Sequence, residues 1–301
     1  MSSDIVVGIV GGGFVGSAHA RALIDAGFKV LVHDINENYQ DNFPQFGSLP
    51  DVAPLEALAL TCHIILVCVP TPPLNYGDND TCGEANISIV DEVLFQLNEF
   101  VGNHRKPSVC IKSTLPPETT RNLQALSPNL RLSFSPEFLT EADPLGTLTK
   151  SDRIVLGSDL CLDGDLIYVL ESINVNPDMK LVLCSSTEAE LIKLMSNSFL
   201  AMKVTFANWF YDICGMTGAN YEMVRLGVEL DPRIGPSHLR VPGNDGKRGY
   251  SGSCFPKDVG NIVAFCHLNG LEADVMDVIQ KANSQYRTDH DWVANRYREE
   301  E

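Results

Sequence analysis

The chain has 301 residues, 44% of them hydrophobic, which is enough for one large domain or two smaller ones with an ordinary core. Its 39 acidic and 22 basic side chains give a formal net charge of −17, which argues against sequence-independent binding to nucleic acid or to anionic membranes. An anionic small ligand stays compatible with this charge, because a helix N-terminus can bind phosphate inside an acidic protein.

Targeting and metal-binding patterns are absent from the sequence. The first residues, "MSSDIVVGIV", contain no basic region, and no apolar run reaches transmembrane length. The nine cysteines are scattered, with no CxxC pair and no cysteine–histidine cluster at metal-ligand spacing. We therefore expect a cytoplasmic protein with neither a membrane nor a metal partner.

The first half alternates apolar strands with amphipathic helices. The helical patterns include 14–27 and 87–101. Continuous apolar strands separated by such helices predict a parallel sheet covered on both faces. We therefore expect an α/β fold with an N-terminal Rossmann-type, doubly wound parallel sheet over residues 1–185. The strand patterns occupy 5–10, 29–34, 63–70, 107–113, 131–138, 153–158 and 180–184.

The second half changes to helical patterns. A long connecting helix is predicted over 186–218, followed by an all-helical dimerisation domain over 219–301. Within that domain the patterns favour helices at 219–229, 258–269 and 272–297.

Ser186 is expected to cap the long helix, because serine is a preferred N-cap residue. Lys193 and Asn197 are four residues apart on this helix and so share a face. We expect them to be surrounded by three buried apolar side chains, those of Leu191, Met195 and Phe199.

The segment "GGGFVG" places three glycines at G-x-G-x-x-G spacing between the first strand and the first helix. Gly11 allows a tight turn, Gly13 allows backbone to approach a pyrophosphate, and Gly16 permits close helix–strand packing. Asp34 ends the next strand, where an acid can bind ribose hydroxyls, and no arginine follows it in "DINENYQ". These features predict that the loop binds NAD in preference to NADP. We expect Phe14 and Val15 of the same loop to contact the cofactor as well.

Further motifs follow in a recognisable order: "VPTPP" (69–73), "KSTLPP" (112–117), "SPEFLTEADPL" (135–145), "EAELIKLMSNSFLAMKVTFAN" (188–208), "LDPRIG" (230–235) and "SCFPKD" (253–258). Together with the glycine loop they resemble the nucleotide-sugar dehydrogenases, and among them the UDP-glucose 6-dehydrogenases. That family oxidises a primary alcohol to a carboxylate in two NAD-dependent steps, through a thioester on an essential cysteine.

The resemblance implies that Cys254 is the nucleophile. A thiolate at this position would gain from nearby cations and from the helix that follows it. The family's pattern places Lys193 and Asn197 beside the reacting carbon and assigns Asp258, with the lysine, to the catalytic water. Lys257 matches a lysine near the cofactor.

Most of the other family positions fall at the ends of predicted strands or shortly after them. Thr71 matches a cofactor contact, and Thr114 is placed to bond the water or the nicotinamide. Glu137 matches the carboxylate implicated in thioester hydrolysis, and Glu141 matches one near both cofactor and substrate. Arg233 matches an arginine that reaches the substrate of the neighbouring subunit, so a homodimer is expected. The implied substrate contacts are Glu137, Phe138, Leu139, Thr140, Glu141, Lys193, Asn197, Arg233, Tyr250 and Ser251.

The chain departs from the family's pattern in three places. It ends at Glu301, so we expect either a short form lacking most of the C-terminal UDP-binding domain or a fragment. The stretch between Asp34 and "HIILVCVP" is short against the family, which bears on the cofactor contacts there. The loop between Arg233 and Cys254 is long, and Ser251 stands in it where a glycine usually touches the substrate. We consider Lys247 and Arg248 of this loop as replacements for lost phosphate contacts.

The leading hypothesis is NAD-dependent, four-electron oxidation of the C6 alcohol of a UDP-hexose, with UDP-glucose as the preferred substrate. One alternative is a two-electron dehydrogenase of the hydroxyacid type, which shares a Rossmann domain followed by helices. Another is a non-catalytic NAD-binding remnant or a regulatory partner of a full-length enzyme.

Overall fold

The computed structural model describes residues 4–74, 83–103, 105–140, 143–252 and 254–287. The chain forms two compact units. The first unit comprises Met1–Pro72 and Asn86–Lys193, and the second unit comprises Pro73–Ala85 and Leu194–Glu301. The division thus falls inside the predicted connecting helix, and the finer domain boundaries at 185 and 218 stay predictions.

In the first unit, the described residues form a seven-stranded sheet of order β2-β1-β3-β4-β5-β6-β7. The order reverses between β1 and β3, which is the switch point where open α/β sheets bind ligands. The strands are β1 (Val6–Val10), β2 (Lys29–His33), β3 (Ile64–Val67), β4 (Ser108–Ile111), β5 (Arg131–Phe134), β6 (Arg153–Gly157) and β7 (Lys180–Cys184). The helices are α1 (Phe14–Asp25), α2 (Leu55–Thr61), α3 (Ser88–Val101), α4 (Thr119–Leu126), α5 (Pro144–Thr149) and α6 (Gly164–Ser172).

The strands do not all run in one direction. The pairs among β1 to β5 are parallel, and so is the pair β6–β7, but β5 and β6 pair antiparallel at Phe134 and Gly157. The predicted fold class is confirmed, with the difference that β6 and β7 are reversed. The segment 135–152 therefore returns the chain at the edge of the sheet where β5 ends, instead of crossing to the opposite edge.

Apolar side chains alternate between the two faces of β3. Ile64 and Leu66 pack into a cluster with Leu23 of α1 and Val169 of α6. Ile65 and Val67 pack into a separate cluster that contains residues of α2 and α3. All four β3 side chains are fully buried. A strand buried on both faces reads as a continuous apolar run, which is why this strand was evident from sequence.

The second unit is helical from the long helix onward. The remaining elements are α7 (Ser186–Thr217), which belongs to the second unit from Leu194 onward, α8 (Tyr221–Glu229), α9 (Phe255–Leu268) and α10 (Asp274–Tyr286). None of the helices in the described ranges combines the length and the apolar composition that a bilayer span requires.

The start of α7 corrects the predicted cap. Ser185, not Ser186, caps the helix: its hydroxyl accepts from the Glu188 amide at 3.3 Å, and the Glu188 carboxylate accepts from the Ser185 amide at 2.7 Å. This reciprocal pair is a capping box, which needs a glutamate three residues after the cap. Ser186 has Ala189 at that spacing, and its hydroxyl instead donates to Asp159.

The faces of α7 are also the reverse of the expectation. Lys193 and Asn197 are buried, whereas Leu191, Met195 and Phe199 are 42%, 75% and 54% exposed. The assumption that apolar side chains would bury a polar pair was therefore wrong. The polar face of this helix packs inward, and an apolar face is left on the surface of the chain.

Candidate functional site

The glycine loop after β1 has the geometry that a dinucleotide needs. Gly11 adopts a φ of +92°, which a residue with a side chain rarely takes, and its amide donates to the His33 carbonyl at 2.8 Å. A Cβ on Gly16 would lie 1.9 Å from the Gly11 carbonyl oxygen, so only glycine fits there. A Cβ on Gly13 would meet no heavy atom within 4 Å. The backbone at Gly13 therefore faces open space at the start of α1, as a bound pyrophosphate requires.

Asp34 lies directly after β2 and faces this loop. Its carboxylate accepts from the Gly12 amide at 2.5 Å and from the Asn36 amide at 2.8 Å. The ring of Tyr39 covers the same turn, because a Cβ on Gly12 would lie 2.3 Å from the tyrosine Cδ2 atom. Carboxylate oxygens can accept further bonds from ribose hydroxyls, so the residues present fit the adenosine end of NAD.

Loops after β3 and β4 meet beside the glycine loop. The buried Thr71 hydroxyl donates to the Thr114 carbonyl at 3.0 Å. The Ser113 hydroxyl donates to the Val69 carbonyl at 2.6 Å. Two of the predicted cofactor contacts, Thr71 and Thr114, are thus held together at the carboxyl ends of neighbouring strands.

Glu137, in the loop after β5, has its carboxylate turned into the first unit. One oxygen accepts from the Phe138 amide at 2.9 Å. The other lies 3.2 Å from His19 Nε2 and 3.4 Å from Lys112 Nζ. Burial raises the pKa of the Glu137 carboxyl, but Lys112, His19, the Phe138 amide and Lys193 together outweigh burial and hold that pKa below its usual range. Lys193 donates from its ammonium to the Glu137 backbone carbonyl.

The segment after Glu137 includes three further predicted substrate contacts. The Lys193 ammonium lies 5.2 Å from the centre of the Phe138 ring, within range of a cation–π interaction. Leu139 packs against one core cluster, and the Thr140 amide donates to the Thr147 hydroxyl at 3.2 Å. Glu141, predicted to contact both cofactor and substrate, lies outside the described residues.

In the second unit, Cys254 is exposed and occupies the N-cap position of α9. The Asp258 amide donates to the Cys254 carbonyl at 2.9 Å, which closes the first turn of the helix. The positive end of the helix dipole stabilises negative charge at this position. The helix begins at Phe255, closer to the cysteine than the predicted helix at 258–269. The thiol of Cys254 is therefore accessible at the amino end of α9.

Asn197 and Asp258, both predicted to be catalytic, are in direct contact. The Asn197 side-chain amide donates to the Asp258 carboxylate at 2.5 Å, and both residues are buried. The Lys257 ammonium lies 3.2 Å from the other oxygen of the Asp258 carboxylate. A buried carboxylate needs such partners, and here they join the long helix α7 to the first turn of α9.

The loop before Cys254 is fastened to the end of α10. The Asn283 side chain accepts from the Tyr250 amide at 2.7 Å and donates to the Tyr250 carbonyl at 3.0 Å. Arg287 donates to the Asp245 carboxylate at 2.5 Å. Tyr250 is buried, and Ser251 is partly exposed.

Two arginines of the second unit, Arg233 and Arg248, differ in the number of contacts that their side chains make. The Arg233 side chain is 87% exposed and pairs with Asp231. Arg248 donates to the Asn208 side chain at 3.1 Å and to Asp212 at 2.9 Å. Its guanidinium also lies over two aromatic rings, those of Tyr211 and Tyr286. Arg248 is thus engaged by the protein itself, which disfavours the hypothesis that it binds a substrate phosphate.

Sequence reasoning missed His19, Lys112 and Asn283. His19 was treated as an ordinary histidine, although its position on the buried face of α1 required a polar partner. Lys112 directly follows the buried strand β4, where a buried lysine needs a carboxylate, and this signal could have paired it with an acid in a neighbouring loop. Among the described residues, no group of three or more potential metal ligands comes together.

Comparison with known proteins covers both units. The NAD-binding domain of the UDP-glucose/GDP-mannose dehydrogenase family matches residues 52–164, and the central domain of that family matches residues 187–285. A UDP-glucose 6-dehydrogenase of Rickettsia felis is 32% identical over 207 residues, covering 67% of this chain and 45% of that protein. The chain thus spans about half the length of this curated relative.

The fold of this chain agrees with those of solved structures. A UDP-glucose dehydrogenase from Pyrobaculum islandicum superposes with a TM-score of 0.78 at 26% identity, covering 94% of this chain and 69% of that one. A 3-hydroxyisobutyrate dehydrogenase from Mycobacterium tuberculosis has a TM-score of 0.71 at 15% identity, covering 95% of this chain and 94% of that one. The second likeness shows the fold alone. Because the two family domains match most of its length in the expected order, the chain belongs to the UDP-glucose/GDP-mannose dehydrogenase family.

Proposed function

We propose that this protein catalyses the NAD-dependent, four-electron oxidation of the C6 alcohol of a UDP-hexose, with UDP-glucose as the preferred substrate, to the uronic acid. The observation that carries the proposal is the exposed thiol of Cys254 at the N-cap of α9. A two-electron dehydrogenase has no use for a nucleophile, whereas oxidation of an aldehyde through a thioester requires one. The relatives named above as UDP-glucose dehydrogenases support the choice of sugar nucleotide.

NAD, when bound, accepts one hydride in each of the two oxidations. The protein's part in binding it falls to the turn at Gly11, the open backbone at Gly13 and the carboxylate of Asp34. Thr71 and Thr114 are proposed to contact the nicotinamide end, because they follow β3 and β4 at the edge of the sheet where ligands of this fold bind.

Cys254 is proposed to add to the aldehyde formed by the first oxidation, which gives a thiohemiacetal. The second oxidation converts this adduct to a thioester, and water then releases the uronic acid and the thiolate. Asn197 and Asp258, joined by a hydrogen bond, are proposed to orient that water and the reacting oxygen. Lys193 is proposed to stabilise negative charge on the substrate oxygen, and Glu137 to act as the base in hydrolysis.

Association of two copies is part of the proposal. Phe199, Phe206 and Trp209 of α7 are 54%, 52% and 53% exposed in the single chain. A contiguous exposed apolar face of this kind marks an interaction site, and a twofold partner would present the same face. We propose a homodimer in which Arg233, exposed at the surface, completes the partner's substrate site.

Counting the NADH formed per substrate tests the reaction. The purified protein should form two NADH per UDP-glucose, and Cys254→Ser should abolish this overall four-electron turnover. The hydroxyacid-type alternative predicts one NADH per substrate and near-normal oxidation by Cys254→Ser. Trapping a covalent sugar adduct on Cys254 in a Glu137→Gln variant would exclude that alternative.

The non-catalytic alternative is tested by calorimetry. The proposed enzyme should bind both NAD and UDP-glucose, and a panel of UDP- and GDP-hexoses would identify the preferred sugar. A remnant or regulatory partner should bind NAD and none of the nucleotide sugars, an outcome that would overturn the proposal.

A further inference from the structure

A buried polar cluster in the first unit contains two residues to which the proposed reaction assigns no role. His19 on α1 is fully buried, and Lys112, directly after β4, is 7% exposed. Both side chains converge on one carboxylate oxygen of Glu137. The Lys112 ammonium also donates to the Ser135 hydroxyl at 3.1 Å, which fixes its position. Three titratable side chains from three separate elements therefore meet at one point.

The protons in this cluster can be counted from its geometry. The His19 Nδ1 atom lies 3.0 Å from the Val15 carbonyl, and a carbonyl only accepts, so Nδ1 carries the hydrogen. Burial lowers the pKa of His19 to about 4, so the ring is neutral near pH 7 and its Nε2 atom is a lone pair. That lone pair faces the Glu137 oxygen at 3.2 Å. Two acceptors thus face each other across a gap that one proton would bridge.

Other charged groups around His19 and Glu137 oppose permanent protonation of these two side chains. Lys112 lowers the pKa of His19 as well as that of Glu137. Lys193 contacts the Glu137 backbone carbonyl from α7 and lowers the pKa of that carboxyl further. The thiols of Cys68 and Cys110 interact with the charges of Lys112 and Glu137, but burial raises the pKa values of both thiols and keeps them neutral.

A small cavity of mixed polar and apolar lining adjoins His19 and Glu137. It measures about 30 Å³ and is lined by His19, Lys112, Ser135, Glu137, Arg153 and Asn174, among others. A water molecule needs roughly 10–15 Å³ of such volume and two or more polar partners, and this cavity supplies both. Water here would offer a proton a route away from the pair.

We propose that His19 is the positioning residue of Glu137, and that the contact between Nε2 and the carboxylate oxygen transiently binds one proton, the proton that Glu137 removes from the hydrolytic water. This role rests on the proposed function, because only that reaction hydrolyses a thioester. An O–H bond of water breaks as its oxygen bonds to the acyl carbon. The C–S bond then breaks with its electron pair on Cys254, and the proton stays in the His19–Glu137 contact. The product leaves as a carboxylic acid that ionises in solvent.

The first test needs no substrate. In the full chain labelled with [15N]histidine, the His19 resonances are identified by their loss in His19→Gln. We expect Nδ1 to be protonated and Nε2 bare at pH 8, with Nε2 taking up a proton on acidification. Glu137→Gln should lower the pH of that uptake by about one unit or more, because a nearby negative charge is removed. Lys112→Met should raise it, and the exposed control Glu118→Gln should leave it unchanged.

Observation of the reverse tautomer at pH 8 would overturn the proposed shared proton. A pH of proton uptake that neither Glu137→Gln nor Lys112→Met changes would overturn it as well. A second measurement tests its role in catalysis. His19→Gln should still reduce NAD rapidly but accumulate acyl-enzyme on Cys254, seen by intact mass, with a slowed steady state whose acid limb is shifted in pH. Unslowed hydrolysis in His19→Gln would refute that role. Failure of the proposed function would appear differently, as absence of turnover in the unsubstituted protein, while the NMR titration would still report on the pair.

Discussion

The Asn197 side-chain amide donates a 2.5 Å hydrogen bond to the carboxylate of Asp258, a residue 61 positions away in the chain. Asn197→Asp would place two carboxyl groups at this distance in a buried setting, where they cannot both ionise without repulsion. We expect the melting temperature to fall more at pH 8 than at pH 5, where one proton can bridge the pair. Thermal unfolding at the two pH values measures this. Asn103→Asp, which adds the same charge at an exposed position, should show no such difference.

Two glycines of the glycine loop are expected to have different roles, Gly16 in folding and Gly13 in NAD binding. Gly16→Ala should destabilise the protein, because its Cβ would lie 1.9 Å from the Gly11 carbonyl oxygen. Gly13→Ala should keep a near-native melting temperature, since a Cβ there has open space, but weaken NAD binding tenfold or more by filling that space. Calorimetric titration with NAD and thermal unfolding of both variants measure the two effects. Unchanged NAD affinity in Gly13→Ala would count against the predicted pyrophosphate position.

Glu190 makes the stability of the first unit depend on pH. Burial raises the pKa of this carboxyl from 4.5 to about 7, although it accepts from the Thr120 amide at 2.8 Å and from the Thr120 hydroxyl at 2.6 Å. Between about pH 4.5 and pH 7 the folded chain holds a proton that the unfolded chain has released. Stability should therefore fall as pH rises through this window, by on the order of 3 kcal/mol.

Glu190→Gln removes the titrating proton while its amide oxygen can accept the same two hydrogen bonds. The variant should be more stable than the parent at pH 8, and its free energy of unfolding should vary less between pH 4.5 and 7. Urea unfolding across this range provides the measurement. Glu171→Gln, at an exposed position on α6, should keep the parent's pH dependence. If the free energy of unfolding of Glu190→Gln depends on pH as steeply as that of the parent, other groups cause this dependence.

Asn283 is expected to position the loop that leads to Cys254. Asn283→Ala removes both hydrogen bonds to the Tyr250 backbone and should lower turnover at least tenfold, while NAD binding in the first unit is retained. Alkylation of Cys254 by iodoacetamide should change in rate as well, which reports on the loop independently of substrate. The matched control, Ser284→Ala, alters an exposed hydroxyl on the same helix. Equal effects of the two substitutions would argue against a specific role for Asn283.

The proposed dimer predicts complementation between inactive subunits. Cys254→Ser and Arg233→Ala should each abolish or strongly reduce activity, but mixing them should restore part of it. One of the two sites in a hybrid dimer would carry both native residues. Trp209→Glu, which places a charge on the exposed face of α7, should shift the protein to monomers by light scattering. A fully active monomer would refute the dimer.

Much of the first unit could be predicted from the sequence, because buried strands and a glycine-rich turn have strong local patterns. The reversal of β6 and β7 could not, since "RIVLG" contains no information on the direction in which the strand runs. The inverted faces of α7 were missed because burial was inferred from hydrophobicity, and that rule fails for Leu191, Met195 and Phe199, which are exposed.

The candidate site was predictable only in part. Cys254 and Asp258 lie in one short motif, and the G-x-G-x-x-G spacing is local as well. The cluster of His19, Lys112 and Glu137 joins a helix to two loops that are far apart in the chain, so no spacing rule links them. Their contact depends on the strand order, which determines which loops are neighbours.

The reversed pair β6–β7 determines where α7 can deliver its side chains. In the antiparallel contact, Gly157 at the end of β6 pairs with Phe134 at the end of β5, and Cys184 at the end of β7 pairs with Gly157. β7 therefore ends level with the carboxyl end of β5, and α7 starts close to that edge. Lys193 lies two turns into α7, about 10 Å along the helix, and donates to the Glu137 carbonyl in the loop after β5. The register of the reversed strands thus places a residue of the connecting helix in the candidate site.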